Sequence, residues 1–312
     1  MSLSISGCML VSVPGDVAET AIPGISPWQD GRRGGSCAAS VAAVNPVSGS
    51  LPADGEASVA GVRLPAGKRT GPEGRSGRSP QSALWVTGEF ADAAGAWLAL
   101  RERLGGTGLV PLLLSGLRGE PGRPWESGEL DPPACGALAD LEVPALLRDG
   151  WDSHVPCPEE DEQETAELLA PFSRSFPGLA PAASGLASPA GLEQAVASLT
   201  GPMRIGLAVA SRPADVLVGI GWQGAANYHR TAAPLTVVLR SWEDRFGAAV
   251  MHVGFDTIDL LVERPALSRQ AALAVAAEHF AFCMDNIYQG AGSISAYARQ
   301  LTGAVRWSFW WD

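Results

Sequence analysis

The chain has 312 residues, of which 46% are hydrophobic and 18% charged, with a formal net charge of −11 and a pI near 4.9. That length and composition can bury a sizeable core as one large domain or two small ones. The acidic balance argues against general nucleic-acid binding, which needs a basic footprint, and against docking on anionic lipid.

Five cysteines (Cys8, Cys37, Cys135, Cys157 and Cys283) are scattered, odd in number and without a CxxC pair. Neither a disulfide framework nor a zinc knuckle is indicated, and reduced thiols in a cytoplasmic protein are expected. Ile5-Ser6-Gly7-Cys8 mimics a lipoprotein cleavage box, but no positive region precedes it and its apolar stretch is too short for a signal peptide. No apolar run reaches the length of a membrane span.

Residues 1–58 hold no sustained period and are punctuated by Gly, Pro and Ser, so they read as a disordered extension ahead of a single α+β domain over 59–312. A second weak stretch covers Leu64–Ser82. "ALWVTGEF" (Ala83–Phe90) then reads as a strand, and Ala93, Trp97, Leu100 and Leu104 recur at helical spacing. "GLVPLLLSGL" is an apolar strand in which Pro111 marks an edge or a bulge, and "RGEPGRPWESGELDPP" is a long loop. Helices are expected in "CGALADLEVPALLRDGW" and in the acidic segment 158–170, followed by a Pro/Ala/Ser-rich link.

The last third is the most ordered. "RIGLAVAS" and "DVLVGIGW" read as successive strands, and the helix Pro234–Phe246 carries a stripe of Leu235, Val238, Leu239, Trp242 and Phe246. "AAVMHVGF" and "TIDLLVE" form a strand pair. Ser268 caps a helix running to about Cys283, with Leu273, Ala277, Phe280 and Met284 inward, and Ser293 caps a shorter helix. A closing strand ends in "WSFWWD". The C-terminal order β-β-α-β-β-α-α-β implies an α+β fold, with helices packed on a mostly antiparallel sheet.

"RPADVLVGIGWQGAANY", "LTVVLRSWEDRFGAAVMHVGFDTIDLLV", "AAEHFAFCMDNIYQG" and the terminal "WSFWWD" together resemble the bacterial family catalogued as domain of unknown function 4253. The resemblance is strongest over 202–312, and "WVTGEF", "GLVPLLLSGL", "RPWESGEL" and "FPGLAP" extend it toward residue 60. Met284 stands where the family pattern leads one to expect a proline. The family has no established reaction, so the resemblance implies no active site.

On the closing strand Val305, Trp307, Phe309 and Trp311 share one face, and Arg306, Ser308 and Trp310 the other. Trp307 and Trp311 are expected in the core, while Trp310 divides evenly between core and an exposed platform. Asp312 adds two carboxylates that either pair with an arginine such as Arg240 or Arg245 or are solvated, the first being favoured. Trp85, Trp97 and Trp125 are expected to pack against the last strand.

His279 and Cys283 lie four apart on one helix, a ligand-capable spacing, with Asp285 just beyond, and His229 or His252 would have to complete a zinc site. Core packing is the favoured reading of those positions. A nucleophilic Cys283 is disfavoured, because a helix C-terminus opposes a thiolate. Glu243, Asp244 and Arg245 read as a solvated or salt-bridged face. Trp222, Gln223, Asn227, Tyr228 and His229 form a polar-aromatic loop suited to recognition. With no nucleophile elbow and no HExxH motif, the leading expectation is a binding or protein-interaction module without a cofactor, immunity-like or regulatory. Its partner would be a protein, with a small ligand possible. Its candidate contacts are that loop with Trp242, Glu243, Arg245, Trp310 and Asp312. The alternatives are a metal-dependent or small-molecule enzyme with a cleft near Trp222–His229 and His279–Asp285, and a structural domain without a ligand.

Overall fold

The computed structural model describes residues 49–71, 84–133, 137–157, 161–228 and 230–311. His229, Asp312, Cys135 and most of the expected N-terminal extension lie outside the described residues. The strands are β1 (Gly55–Val59), β2 (Val62–Thr70), β3 (Leu84–Thr87), β4 (Leu109–Leu114), β5 (Arg204–Val209), β6 (Ala248–Val253), β7 (Thr257–Val262) and β8 (Arg306–Trp310). The helices are α1 (Ala93–Arg103), α2 (Val143–His154), α3 (Glu162–Leu169), α4 (Pro189–Ala197), α5 (Val216–Ile220), α6 (Ala232–Phe246), α7 (Arg269–Phe282) and α8 (Ile294–Leu301).

The strands form one sheet in the order β1-β2-β3-β5-β4-β6-β7-β8. Every neighbouring pair is antiparallel except β4 and β6, which run parallel. Alternation along each strand sorts side chains onto two faces. On β4, Leu112 and Leu114 enter one core and Leu113 the other; on β3, Leu84 and Val86 oppose Trp85 in the same way. The first core packs against α2, α5, α6, α7 and α8, and the second against α1 and α4. The fold is therefore α+β, with helices on both sides of a mostly antiparallel sheet.

β8 closes the sheet against β7, and Trp307, Phe309 and Trp311 are buried in the first core. Phe309 stacks on Trp242 with centroids 5.4 Å apart, and Trp307 meets Trp242 and Phe246 edge-on. Burying one such ring is worth on the order of 2–3 kcal/mol, which holds the end of the chain in the sheet. Trp125 shares this core, whereas Trp85 and Trp97 pack on the opposite face of the sheet.

Three expectations need correction. "DVLVGIGW" is not a strand but a short 3-10 turn running into α5, closed by Gly221 at φ 72°. Val216, Leu217 and Ile220 are all buried there, and a short apolar run buried throughout gives no period by which to tell strand from helix. The order from residue 204 is accordingly β-α-α-β-β-α-α-β. Next, the sheet begins at Gly55, and β1 and β2 form a hairpin in a stretch that reads as loop. Third, α4 lies in the expected Pro/Ala/Ser link, where Ser188 caps it by accepting from Gly191 N and Pro189 sits at its first position. Pro111 falls inside the sheet, but β6 reaches β4 only at Leu113 and Leu114, so beside Pro111 β4 has a strand on one side only.

The helical layer is tied together by a buried ion pair. Glu278 on α7 is fully enclosed; its two oxygens accept from Arg245 Nη1 and Nη2 on α6, each at 2.7 Å. Trp242 Nε1 (2.7 Å) and Ala180 N (2.5 Å) fill its remaining acceptor sites. All partners are satisfied, so the pair fixes the register of α6 against α7 and pins the 171–188 segment. Removing one partner strands the other, so Arg245→Met is expected to cost about 3–5 kcal/mol in denaturant unfolding. The double variant R245M/E278L is expected to cost clearly less than the sum of the singles, because no uncompensated charge remains.

Candidate functional site

β6 carries an irregularity between Val250 and His252, where the strand slips by one residue against β7. A regular strand would put residues 250 and 252 on one face and 251 and 253 on the other. Here Val250 and Val253 both enter the first core and Met251 enters the second. His252 is re-aimed to the second face, directly opposite Asp259 on β7. Its Nδ1 lies 2.8 Å from Asp259 Oδ2, and its Nε2 lies 2.9 Å from the Oγ of Ser115. Ser115 follows the last residue of β4, on the strand that runs parallel to β6. Adjacent strands thus assemble a hydrogen-bonded Ser–His–Asp chain.

The donor and acceptor roles follow from the chemistry. An ionised carboxylate only accepts, so Nδ1–H donates to Asp259, and in the neutral imidazole Nε2 accepts from the Ser115 hydroxyl. Burial alone would raise the Asp259 carboxyl. The hydrogen bond from His252, the one from Ser308 Oγ and the Arg306 guanidinium outweigh burial and hold it below the usual carboxylate range. Arg306 Nε donates to Asp259 Oδ1 at 2.8 Å, so both carboxylate oxygens are committed.

Ser115 is held from both sides. Its N–H donates to Val253 O (3.2 Å), and its carbonyl accepts from Trp125 Nε1 (2.9 Å). The loop beyond it is locked by Arg123, which donates to both oxygens of Glu129 (2.9 and 2.5 Å) and lies over the Phe255 ring. Gly254 allows the close approach of the two loops. A Cβ there would fall 2.2 Å from Thr257 Oγ1 and 3.1 Å from Ser115 Oγ.

The second core covers this face under α1 and α4 but stops short of the Ser–His–Asp chain, which opens into a cleft of about 300 Å³. Its walls include Leu199 and Thr200 just past α4, Met203, and the outward face of β8 with Arg306, Ser308 and Trp310. Ser115 is half-buried and His252 is 8% exposed, so a small molecule in the cleft can reach the serine and the imidazole edge.

Of the residues expected to form a site, Trp310 lines this cleft and the other described ones lie elsewhere. Trp222 is buried, donates Nε1–H to Gly254 O (2.9 Å) and packs edge-on against Trp311. Gln223 donates to Asp131 O and Gly221 O, and Asn227 is exposed. Tyr228 donates to Asp285 Oδ2 (2.7 Å), so the loop does meet one end of the expected His279–Asp285 segment. Trp242 is core. Glu243 accepts from Arg212 Nε and Ala214 N, Asp244 accepts from Arg212, and Arg245 serves Glu278. Arg240 pairs with Asp215.

His279 is fully buried among Trp307, Trp242 and Phe309, with Nδ1 3.1 Å from Tyr297 Oη. Burial, and then the Arg245 charge, hold it neutral, well below the usual histidine range. Cys283 donates its S–H to Trp310 O (3.0 Å), and burial first of all pushes the thiol up to about 12. Among the described residues no three His, Cys, Asp or Glu side chains gather as a metal site would require.

His252 stood among the sequence candidates only as a possible zinc ligand, and Ser115 and Asp259 not at all. The signal for the pair was present. "MHVGFDTID" reads as two strands joined by a short turn, and a one-residue slip in that hairpin brings His252 opposite Asp259. The serine carries no local motif, since the chain reaches His252 through a sheet partner 137 positions away.

Fold and site define an α+β protein that carries a Ser–His–Asp chain on one sheet face. Residues 204–312, roughly a third of the chain, match the family model of the domain of unknown function DUF4253. His252, Asp259 and Arg306 lie within the matched segment, and Ser115 lies upstream of it. No curated protein and no solved structure matches the chain. No helix among the described residues is long and apolar enough to cross a membrane.

Two outcomes are expected. Gly254→Ala overpacks the junction and should cost about 1–3 kcal/mol in denaturant unfolding. Asp259 has a depressed folded-state pKa, so it binds its proton more weakly in the folded chain than in the unfolded one. Its stabilisation is complete above the unfolded carboxyl value of about 4 and is lost as pH falls through the lower folded value. Asp259→Asn should therefore flatten the fall in melting temperature between about pH 5 and pH 2 that the wild type shows.

Proposed function

We propose that the protein is a serine hydrolase of small acyl esters, with Ser115 as nucleophile, His252 as general base and Asp259 as the group that orients His252. The observation that carries this reading is the unbroken chain from Ser115 Oγ through His252 to Asp259, at 2.9 and 2.8 Å, beside an open cleft. It is the arrangement by which a weak hydroxyl nucleophile becomes competent at neutral pH.

In the first half-reaction Ser115 Oγ attacks the acyl carbonyl while its proton passes to His252 Nε2. Collapse of the tetrahedral adduct expels the alcohol, which leaves with that proton. In the second half, water attacks the acyl-serine, His252 takes the water's proton, and the carboxylic acid departs as the proton returns to Ser115. Asp259 keeps Nδ1 protonated and stabilises the imidazolium in between. The Ser115 amide is committed to Val253 O, so this reading assigns the developing oxyanion to the following amide, that of Gly116. The reading departs from the interaction module expected from the sequence. Several of that module's candidate contacts, Trp222 and Trp242 among them, are spent on internal packing.

The test is hydrolysis of para-nitrophenyl esters by the purified chain. Ser115→Ala and His252→Ala are each expected to lower kcat by about a thousandfold or more, and the double variant to be no worse than either single. Turnover that survives both substitutions in folded protein, or no turnover by the wild type across acyl lengths, would overturn the reading.

A further inference from the structure

Besides the cleft beside Ser115, the molecule carries an open hollow between β2 and α1, a buried Arg230–His154 pair under α7 and a surface network of Arg212, Arg240 and Asp215. The hollow is open and its charged lining, Arg63, Asp92 and Arg103, holds no hydrogen-bonded chain of catalytic groups. Arg230 is spent on the Ala281 and Phe282 carbonyls and on His154. The surface network closes on itself through Glu243, Asp244 and Asp215. The cleft combines the Ser115–His252–Asp259 chain with polar capacity left over.

That surplus has one sign. Among the described residues that line the cleft the only carboxylate, Asp259, already accepts from His252, Ser308 and Arg306, so none of these residues offers a free anion to a cationic ligand. Arg306 is the one permanent cation among the described residues that line it. The guanidinium presents five N–H donors; Nε is used on Asp259 and one Nη1 proton on Ser198 Oγ at 2.9 Å. The outer Nη2 edge makes no hydrogen bond to a described residue, and the side chain is 30% exposed. Ser198 and Asp259 hold the guanidinium plane from two directions, so the free edge is pre-oriented for a carboxylate. The half-buried Trp310 ring projects from the same strand face as Arg306 and supplies apolar surface alongside. The cleft volume, about 300 Å³, is at the small end for ligand sites.

We infer that the substrate is a small acyl ester bearing a carboxylate, which Arg306 Nη2 binds while Ser115 attacks the ester carbonyl. This rests on the hydrolase reading above and adds the substrate's charge and the residue that selects it. Arg306 also touches Asp259, so overall rate alone does not isolate its role, and a ratio between substrates does.

The experiment compares mono-para-nitrophenyl esters of dicarboxylic acids, from succinate to suberate, with para-nitrophenyl esters of neutral acyl chains of matching length. Wild type is expected to favour at least one carboxylate ester by about tenfold to a hundredfold in kcat/KM, mainly through KM. Arg306→Gln should bring that ratio near unity, and Arg306→Lys should restore part of it. In parallel, calorimetry measures binding of the free dicarboxylates to Ser115→Ala protein and to S115A/R306Q. Saturable binding lost with Arg306 is expected. A Ser115-dependent esterase with no charge preference, or a preference that survives R306Q, overturns this inference and leaves the hydrolase reading standing. Arg306-dependent dicarboxylate binding without Ser115-dependent turnover sinks the hydrolase reading and leaves an anion site. Neither turnover nor binding removes both.

Discussion

One slipped residue in β6 decides what the sheet can do. In a regular strand His252 would follow Val250 into an apolar core, where a neutral imidazole has little to bond and a charged one is excluded. The irregularity after Val250 turns His252 to the other face, places it opposite Asp259 and aims its far nitrogen at Ser115 on the parallel neighbour. The same slip lets Val250 and Val253 both fill the first core, so the apolar packing and the polar chain require one backbone geometry. A register error here would expose Val253 and bury His252, which makes the arrangement strongly specified.

The last strand couples that chemistry to the core. Trp307 and Phe309 face inward against Trp242, His279 and Phe282, while Arg306, Ser308 and Trp310 face the cleft. Burial of the inward rings positions the outward polar groups to within hydrogen-bond distance of Asp259. The Arg245–Glu278 pair sets α6 against α7 beneath those rings, so a buried ion pair on the far side of the sheet supports the geometry of the cleft. This division answers why a chain end carries several tryptophans. Trp307 and Trp311 are the buried side of a strand whose other side lines the cleft.

Much of the scaffold was legible from residue pattern. The stripe of Leu235, Val238, Leu239, Trp242 and Phe246 is buried as a helix face requires, and Ser268 and Ser293 cap α7 and α8 by accepting from Ala271 and Ala296. The alternation gives the inward set Trp307, Phe309 and Trp311 and the outward set Arg306, Ser308 and Trp310, whereas Val305, expected with the inward rings, packs against the second core just before β8 begins. The α5 segment failed because an apolar run buried throughout carries no period, and the β1–β2 hairpin failed because Gly and Pro diluted its alternation. The site was illegible for another reason. Its histidine and aspartate come from two strands and its serine from just past a third, and a bulge that no single-strand pattern announces re-aims the histidine. The conspicuous candidates were instead absorbed by structure: His279 into an aromatic box, Cys283 onto a backbone carbonyl, and Arg245 onto Glu278.

Labelling with a fluorophosphonate, read by intact and peptide mass spectrometry, tests the central claim most directly, because the probe reacts with a hydroxyl only where a neighbouring base activates it. One adduct per chain on Ser115 is predicted, abolished in S115A and strongly slowed in H252A with the fold intact by circular dichroism. Absence of an adduct on folded wild-type protein, or an adduct on another serine that persists in S115A, would contradict the account and reduce the Ser115–His252–Asp259 chain to a structural tie between strands.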